Sequence, residues 1–147
     1  MNKNEVVAII QRVVKLCEDH PDVIYISKNM TDICSYLSGD TKGTNYTGTG
    51  CIFGQAIMIE APHLKDKLEE VDISRGGNAI SCVLDIDNSE IMGRFCVSIQ
   101  ANQDNGRSWG ECLAKAGGRE EWERIKGIIE RGTAVISDPA YREDSSY

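Results

Sequence analysis

Residues 6–17 have the sequence VVAIIQRVVKLC, and this stretch shows a clear helical pattern. Its apolar side chains recur at spacings of three and four residues, and polar side chains fill the other positions. Because a helix turns once every ~3.6 residues, this pattern predicts an amphipathic helix with one buried face. Asn2, with a glutamate three residues later, forms a capping box at its start, and Asn4 is the alternative cap. His20-Pro21 ends the helix, since the residue before a proline avoids helical geometry.

The segments after this helix predict a small hairpin and then a buried helix. Residues 23–27 (VIYIS) are β-branched and aromatic, residues 29–32 contain turn-forming types, and residues 33–37 (ICSYL) alternate in part. These features are typical of two antiparallel strands joined by a turn. A glycine-rich loop, residues 38–50 (SGDTKGTNYTGTG), leads into residues 51–59 (CIFGQAIMI). The continuous apolar character of that last segment favours a buried helix.

The rest of the chain predicts a cluster of short helices. Asp87 with Glu90 and Ser108 with Glu111 have the spacing of a helix cap and its reciprocal glutamate. We therefore expect an α+β fold that is mostly helical, with an N-terminal helix, a small β-hairpin and then short helices. Their apolar positions fall within residues 64–71, 79–84, 91–99 and 122–129.

Length and composition indicate one globular domain. The chain has 147 residues, of which 41% are hydrophobic and 27% charged, and this balance excludes wholesale disorder. We expect the domain to span residues 1–132 and a polar tail to span residues 133–147. The formal net charge is −7. A protein that holds nucleic acid through non-specific phosphate contacts normally carries the opposite sign, so we do not expect a general DNA or RNA binder, although a local basic pocket is compatible with this charge.

Neither a secretion signal nor a membrane span is expected from this sequence. Its longest nearly uncharged run, residues 50–59, is far shorter than the ~20 residues of a spanning helix. Six cysteines lie far apart with no C-x-x-C pair, so no zinc motif is present. We expect a cytoplasmic protein with reduced, mostly buried cysteines and no metal or cofactor; disulfides are the alternative if the protein is secreted.

The glycine-rich loop ahead of a helix is the first candidate site. Backbone N–H groups at a helix start bind anions, and glycine lets a phosphate approach the backbone closely. The loop lacks the G-K-[ST] of a P-loop, and Lys42 precedes its cluster of glycines. The alternative is a connection whose glycines serve turns and tight packing.

The segment QANQDNGRSWG, residues 100–110, is the second candidate. Amide side chains can hydrogen-bond to the edge of a base, an indole can stack on it, and an arginine can bind phosphate. A helix–helix joint is the alternative. It explains the turn, the cap and Trp109, but it leaves Gln100, Gln103 and Arg107 unexplained.

No catalytic constellation can be assembled from the sequence. The only histidines are His20 and His63, one at a helix end and one beside a proline. A nucleophilic cysteine with a histidine base would need a spatial adjacency that the sequence does not show. We therefore expect a protein that is not an enzyme.

Four segments of the chain form an ordered set of motifs: residues 21–25 (PDVIY), 34–36 (CSY), 50–56 (GCIFGQA) and 100–113 (QANQDNGRSWGECL). Their order resembles a family of small proteins common in bacteriophages and actinobacteria. That family carries a C-x-Y segment, then G-x-P-x-C-[IL]-V-G-x-x-L, and ends in Q-x-x-Q-D-x-G-x-x-W-G-x-A. The resemblance covers roughly residues 20–116; the loop at residues 39–50 is longer here, and the helix and tail after Gly118 are additional. It implies a phage or mobile-element origin but no activity.

The leading functional hypothesis is non-catalytic binding of a phosphorylated nucleotide second messenger, either a cyclic nucleotide or an ADP-ribose derivative. By analogy with phage-encoded sponges of bacterial immune signals, sequestration would make this an anti-defence protein in the cytoplasm of the infected host. An acidic module that inhibits a host protein is the first alternative, and a hydrolase of the same messengers is the second.

The same hypothesis predicts the ligand contacts and a homo-oligomer, a dimer or higher. Trp122, Ile125 and Ile129 form an apolar stripe that would meet a second subunit, unless it packs on its own domain. The predicted ligand-binding residues are Tyr36, Lys42, Tyr46, Thr49, Gly50, Gln55, Gln100, Gln103, Arg107 and Trp109.

Overall fold

The computed structural model confirms a mostly helical α+β fold. It describes residues 2–26, 36–37, 39–42, 46, 48–74, 83–87 and 90–131. The predicted tail, residues 133–147, lies outside this part of the chain. In chain order the elements are α1 (Lys3–Asp19), β1 (Ile24–Ile26), β2 (Asp40–Lys42), α2 (Ile52–Glu60), a 3-10 turn (Pro62–Leu64), α3 (Lys65–Ser74), α4 (Ile91–Asp104), α5 (Trp109–Lys115) and α6 (Gly118–Arg131).

Helix α1 is the centre of the fold. Its start is capped as predicted, because the Asn2 side chain accepts a hydrogen bond of 2.8 Å from the Glu5 amide. It ends at His20, whose own amide donates to the Leu16 carbonyl at 2.9 Å. One face packs against α2, α5 and α6. The buried side chains of that face are Val6, Ile9, Ile10, Val13, Val14, Leu16 and Cys17.

The hairpin exists, but its second strand was predicted in the wrong place. Strand β1 pairs antiparallel with β2, so that Tyr25 lies opposite Thr41. Of the predicted partner strand, residues 33–35 fall outside the described residues, while residues 36–37 form a bend. Gly39 explains the shift. At its φ of +95° the chain turns beside Tyr25, and a Cβ there would lie 2.6 Å from the Tyr25 hydroxyl.

The two predicted caps in the second half of the chain have different outcomes. Ser108 caps α5 as predicted, accepting from the Glu111 amide at 3.4 Å. Asp87 is not the cap of α4. Glu90 holds that position in an extended conformation, and the first helical hydrogen bond runs from the Arg94 amide to the Glu90 carbonyl at 2.9 Å. Of the helix predicted at residues 79–84, only the buried Val83 and Leu84 are described, in a helical turn.

The apolar stripe of α6 belongs to the core of this chain. Trp122 is fully buried, its ring lies 6.0 Å from that of Phe95, and its indole N–H donates to the Gln11 side chain at 2.7 Å. Ile125 and Ile129 are buried beside it. The stripe therefore packs on its own domain, and the predicted homo-oligomer would need another surface.

Ion pairs connect α1 to its neighbours. Arg119, at the start of α6, donates to both carboxylate oxygens of Glu18 at 2.7 and 2.6 Å. These hydrogen bonds lower the pKa of Glu18. Arg12 lies 2.8 Å from Glu60 on α2.

Within the described residues, no helix has both the length and the apolar character needed to cross a bilayer.

Four of the six cysteines are described, and each is a buried free thiol: Cys17, Cys51, Cys96 and Cys112. Burial raises the pKa of Cys96 and of Cys112 to about 12, and it also raises that of Cys17. Because the thiolate is the reactive form and all four sulfurs are buried, we expect these cysteines to react slowly in the native state.

We therefore expect a thiol-reactive dye to label at most two of the six cysteines in native protein, and all six after unfolding. Counting labelled cysteines by mass spectrometry checks this. Rapid labelling of three or more in the folded protein would contradict the burial described here.

Candidate functional site

The glycine-rich loop and the segment at residues 100–110 meet in space. The ring of Tyr46, from the loop, lies edge-on to the indole of Trp109, with ring centroids 5.3 Å apart and an interplanar angle of 72°. The side-chain oxygen of Gln103 accepts a 2.7 Å hydrogen bond from the Ile52 amide at the start of α2. The two candidate sites are therefore one cluster, which we call the Tyr46–Trp109 cluster.

Gln103 acts as the cap of α2 from a distance. Cys51 holds the N-cap position of this helix but supplies no side-chain cap hydrogen bond. The carbonyl oxygen of Gln103, which is only 1% exposed, takes that place at the Ile52 amide. A buried amide without an acceptor is costly, so this bond fixes α4 against the start of α2. The start of α2, where the sequence predicted anion binding, is therefore capped by the side-chain amide of Gln103.

Gln55 links the loop to the same helix. Its side-chain nitrogen donates to the Gly50 carbonyl at 2.9 Å, and its side-chain oxygen accepts from the Tyr46 hydroxyl. Gln55 is buried, whereas Tyr46 is half-buried. Partial burial raises the pKa of the Tyr46 phenol, so at neutral pH the hydroxyl keeps its proton and remains a donor.

Close packing accounts for two glycines of this region. The backbone of Tyr36 crosses α2 at Gly54, where a Cβ would overlap the Tyr36 carbonyl and lie 2.7 Å from its Cα. Gly50, at a φ of +89°, packs against the same carbonyl. A Cβ added at this position would lie 3.3 Å from the Leu37 Cα. Tyr36 is buried by this crossing. These glycines therefore serve the tight packing that was the alternative to anion binding.

His20 belongs to the cluster, although sequence analysis placed it only at a helix end. Its ring centroid lies 4.4 Å from that of Tyr46. The chain just after it is held to the start of α5, because the Gly110 amide donates to the Pro21 carbonyl at 3.0 Å and the Trp109 amide to the Val23 carbonyl at 2.8 Å. No local pattern could reveal this, since the three rings come from distant parts of the sequence.

Three residues of the predicted site, Lys42, Thr49 and Arg107, lie at the surface. Arg107 is 43% exposed at its side chain, and its guanidinium lies 3.5 Å from the carboxylate of Glu111. Lys42 is exposed at the end of β2, and Thr49 is exposed further along the loop. Arg107 can reorient toward a ligand at little cost, because an exposed ion pair is weak.

The indole nitrogen of Trp109 and the side-chain oxygen of Gln100 are buried polar atoms with no hydrogen-bond partner among the described residues. Most buried polar groups in proteins are paired, so each exception calls for a physical explanation. One is a donor and the other an acceptor, and both lie within the segment at residues 100–110. They leave this segment with unused hydrogen-bonding capacity.

Comparisons with known proteins add no assignment. No protein-family model, curated protein or solved structure matches the chain. The resemblance to the phage and actinobacterial proteins therefore stays a prediction. Within the part of the chain that the structure describes, no group of three or more histidine, cysteine, aspartate or glutamate side chains could hold a metal ion.

Proposed function

We propose that this protein binds a phosphorylated nucleotide without converting it, and that the Tyr46–Trp109 cluster receives the base. The observation that carries the proposal is the indole N–H of Trp109. This donor is fully buried, its ring contacts Tyr46, and it has no acceptor among the described residues. Burying a donor without an acceptor costs about 1–3 kcal/mol, and a ligand that supplies the acceptor removes that cost.

Charged and aromatic side chains of the predicted site match the parts of a nucleotide. Aromatic side chains provide surfaces on which a base can stack. Arg107 and Lys42 are exposed cations that can form charge-assisted hydrogen bonds with phosphate. A net charge of −7 disfavours a long polyanion, so a small ligand with few phosphates is the better partner.

The ligand class that we propose is a cyclic nucleotide or ADP-ribose derivative, because each combines a base with phosphate. The biological role follows from the resemblance to phage proteins: sequestration of an immune messenger in the cytoplasm of the infected host. An oligomer that closes the site over the ligand is part of this proposal.

The deciding experiment is incubation of the protein with cyclic dinucleotides, cyclic trinucleotides and ADP-ribose derivatives. Binding is measured by calorimetry, and the ligand is recovered by heating and identified by mass spectrometry. Release of intact ligand supports sequestration, whereas an altered ligand shows a hydrolase. Absence of binding to every compound refutes the proposal and favours a protein-interaction module.

Arg107→Ala tests the predicted phosphate contact. We expect about tenfold weaker binding of any messenger found in the panel, because a charge-assisted hydrogen bond is lost. The thermal midpoint should change little, since the ion pair of Arg107 with Glu111 is exposed. Arg124→Ala is the matched control, because Arg124 also pairs with a glutamate on its own helix. If both variants bind as the parent does, Arg107 is not a ligand contact.

A further inference from the structure

The ring of Tyr46 fills a slot formed in part by two other aromatic side chains. His20 lies 4.4 Å away and Trp109 lies 5.3 Å away, measured between ring centroids. Gly48 lies against both the ring and the amide of Gln55: a Cβ there would be 2.9 Å from Tyr46 Cε2 and 2.6 Å from the Gln55 side-chain oxygen. We call the space bounded by His20, Gly48, Gln55 and Trp109 the aromatic slot.

The aromatic slot presents hydrogen-bonding groups as well as ring surfaces. The side-chain oxygen of Gln55 accepts a hydrogen bond from the edge of the occupying ring, here the Tyr46 hydroxyl. Gln55 is held in place by its own bond to the Gly50 carbonyl at 2.9 Å. The slot thus suits a planar ring with a donor on its edge, which is a feature of a purine base such as adenine.

Tyr46 is less buried than the other two tyrosines that the structure describes. Tyr25 and Tyr36 are 5% and 2% exposed, whereas Tyr46 is half-buried. It comes from the loop between β2 and α2 rather than from a helix or strand. The ring therefore buries less apolar surface, and less free energy is lost when it leaves the slot.

We propose that Tyr46 is an internal stand-in for the ligand: its phenol fills the aromatic slot in the free protein, and the base of the nucleotide displaces it. The base then takes over the contacts of the tyrosine ring with His20 and Trp109, and it bonds to Gln55 in place of the tyrosine hydroxyl. This inference deepens the proposed function and rests on it for the nature of the ligand. It adds His20 and Gly48 to the site and makes Tyr46 a competitor of the ligand.

Tyr46→Ala, which empties the slot, tests the inference with p-cresol, the free form of the tyrosine side chain. We expect p-cresol to raise the thermal midpoint of this variant in a concentration-dependent way, because it binds only to the emptied folded state. Wild type and Leu64→Ala should show no such rise. Leu64 is also a partly buried side chain packed on the core, and it makes a matched truncation outside the slot. If p-cresol shifts the thermal midpoint equally in all three proteins, or does not shift that of Tyr46→Ala, the aromatic slot does not exist.

Adenosine 5′-monophosphate tests the competition itself. Removing the occupant should let this probe bind Tyr46→Ala at least about threefold more tightly than wild type. Tyr46→Phe keeps the ring but loses the bond to Gln55, so its affinity should lie between the two. Weaker or equal binding to Tyr46→Ala refutes displacement. Failure of the whole messenger panel on wild type would refute the proposed function, while the p-cresol result would still decide whether the slot exists.

Discussion

Gly54→Ala is expected to destabilise the protein by about 3 kcal/mol or more, although alanine is ordinarily the better residue inside a helix. The added Cβ would overlap the Tyr36 carbonyl and lie 2.7 Å from the Tyr36 Cα. Both obstacles are backbone atoms of a buried segment, so neither can turn away as a flexible side chain would. Accommodating the methyl group requires α2 to move away from Tyr36, which breaks packing on both sides.

Gly127→Ala is the matched control for this prediction. Gly127 also lies inside a helix, α6, but the one described atom that a Cβ there would meet is in the Arg131 guanidinium, at 3.5 Å. We expect it to be neutral or to stabilise the protein by up to about 1 kcal/mol. Urea unfolding followed by circular dichroism measures both free energies. If the two substitutions change the free energy of unfolding equally, the backbone of Tyr36 does not pass this close to Gly54.

Gln103→Met is expected to cost about 2 kcal/mol in the free energy of unfolding. Methionine has nearly the same length and flexibility, so the change removes little packing. It removes the acceptor of the Ile52 amide, however, and leaves that buried N–H at the start of α2 without its 2.7 Å partner. Without this hydrogen bond, α2 and its side chain Gln55 should be held less firmly in place.

Gln100→Met is the control on the same helix. The side-chain oxygen of Gln100 is buried but has no partner among the described residues, so no hydrogen bond of that oxygen is lost. We expect its effect to stay within about 0.5 kcal/mol in the absence of ligand. A cost for Gln100→Met as large as that for Gln103→Met would show that amide burial, rather than the cap of α2, determines stability here.

The helices could be predicted from the sequence because their determinants are local. The period of α1 and the capping geometry of Asn2 and Ser108 involve residues within one or two turns. Strand β2 escaped prediction because Asp40–Lys42 has no apolar alternation, and its pairing depends on a turn at Gly39. The start of α4 was misplaced for a similar reason. Asp87 has the right residue type, but the backbone becomes helical only after Glu90.

The candidate site could be predicted in parts but not as a whole. The sequence singled out the glycine-rich loop and the segment at residues 100–110 by their residue types. It could not show that Gln103 caps a helix far away in the chain, because an amide that caps and an amide that reads a base are chemically the same group. The contact of His20 with Tyr46 is likewise set by the tertiary fold alone.

The two backbone hydrogen bonds between the start of α5 and the chain after α1 have a kinetic consequence. The Trp109 amide reaches the Val23 carbonyl and the Gly110 amide the Pro21 carbonyl, so most of the chain forms a loop between these points. Closing that loop loses chain entropy before any of its contacts form, which slows folding relative to a simple helical bundle. Breaking these two hydrogen bonds requires α5 to separate from α1 and β1 together. The protons on these two amides should therefore exchange with solvent only when the whole domain unfolds, and their exchange rates would report its global stability.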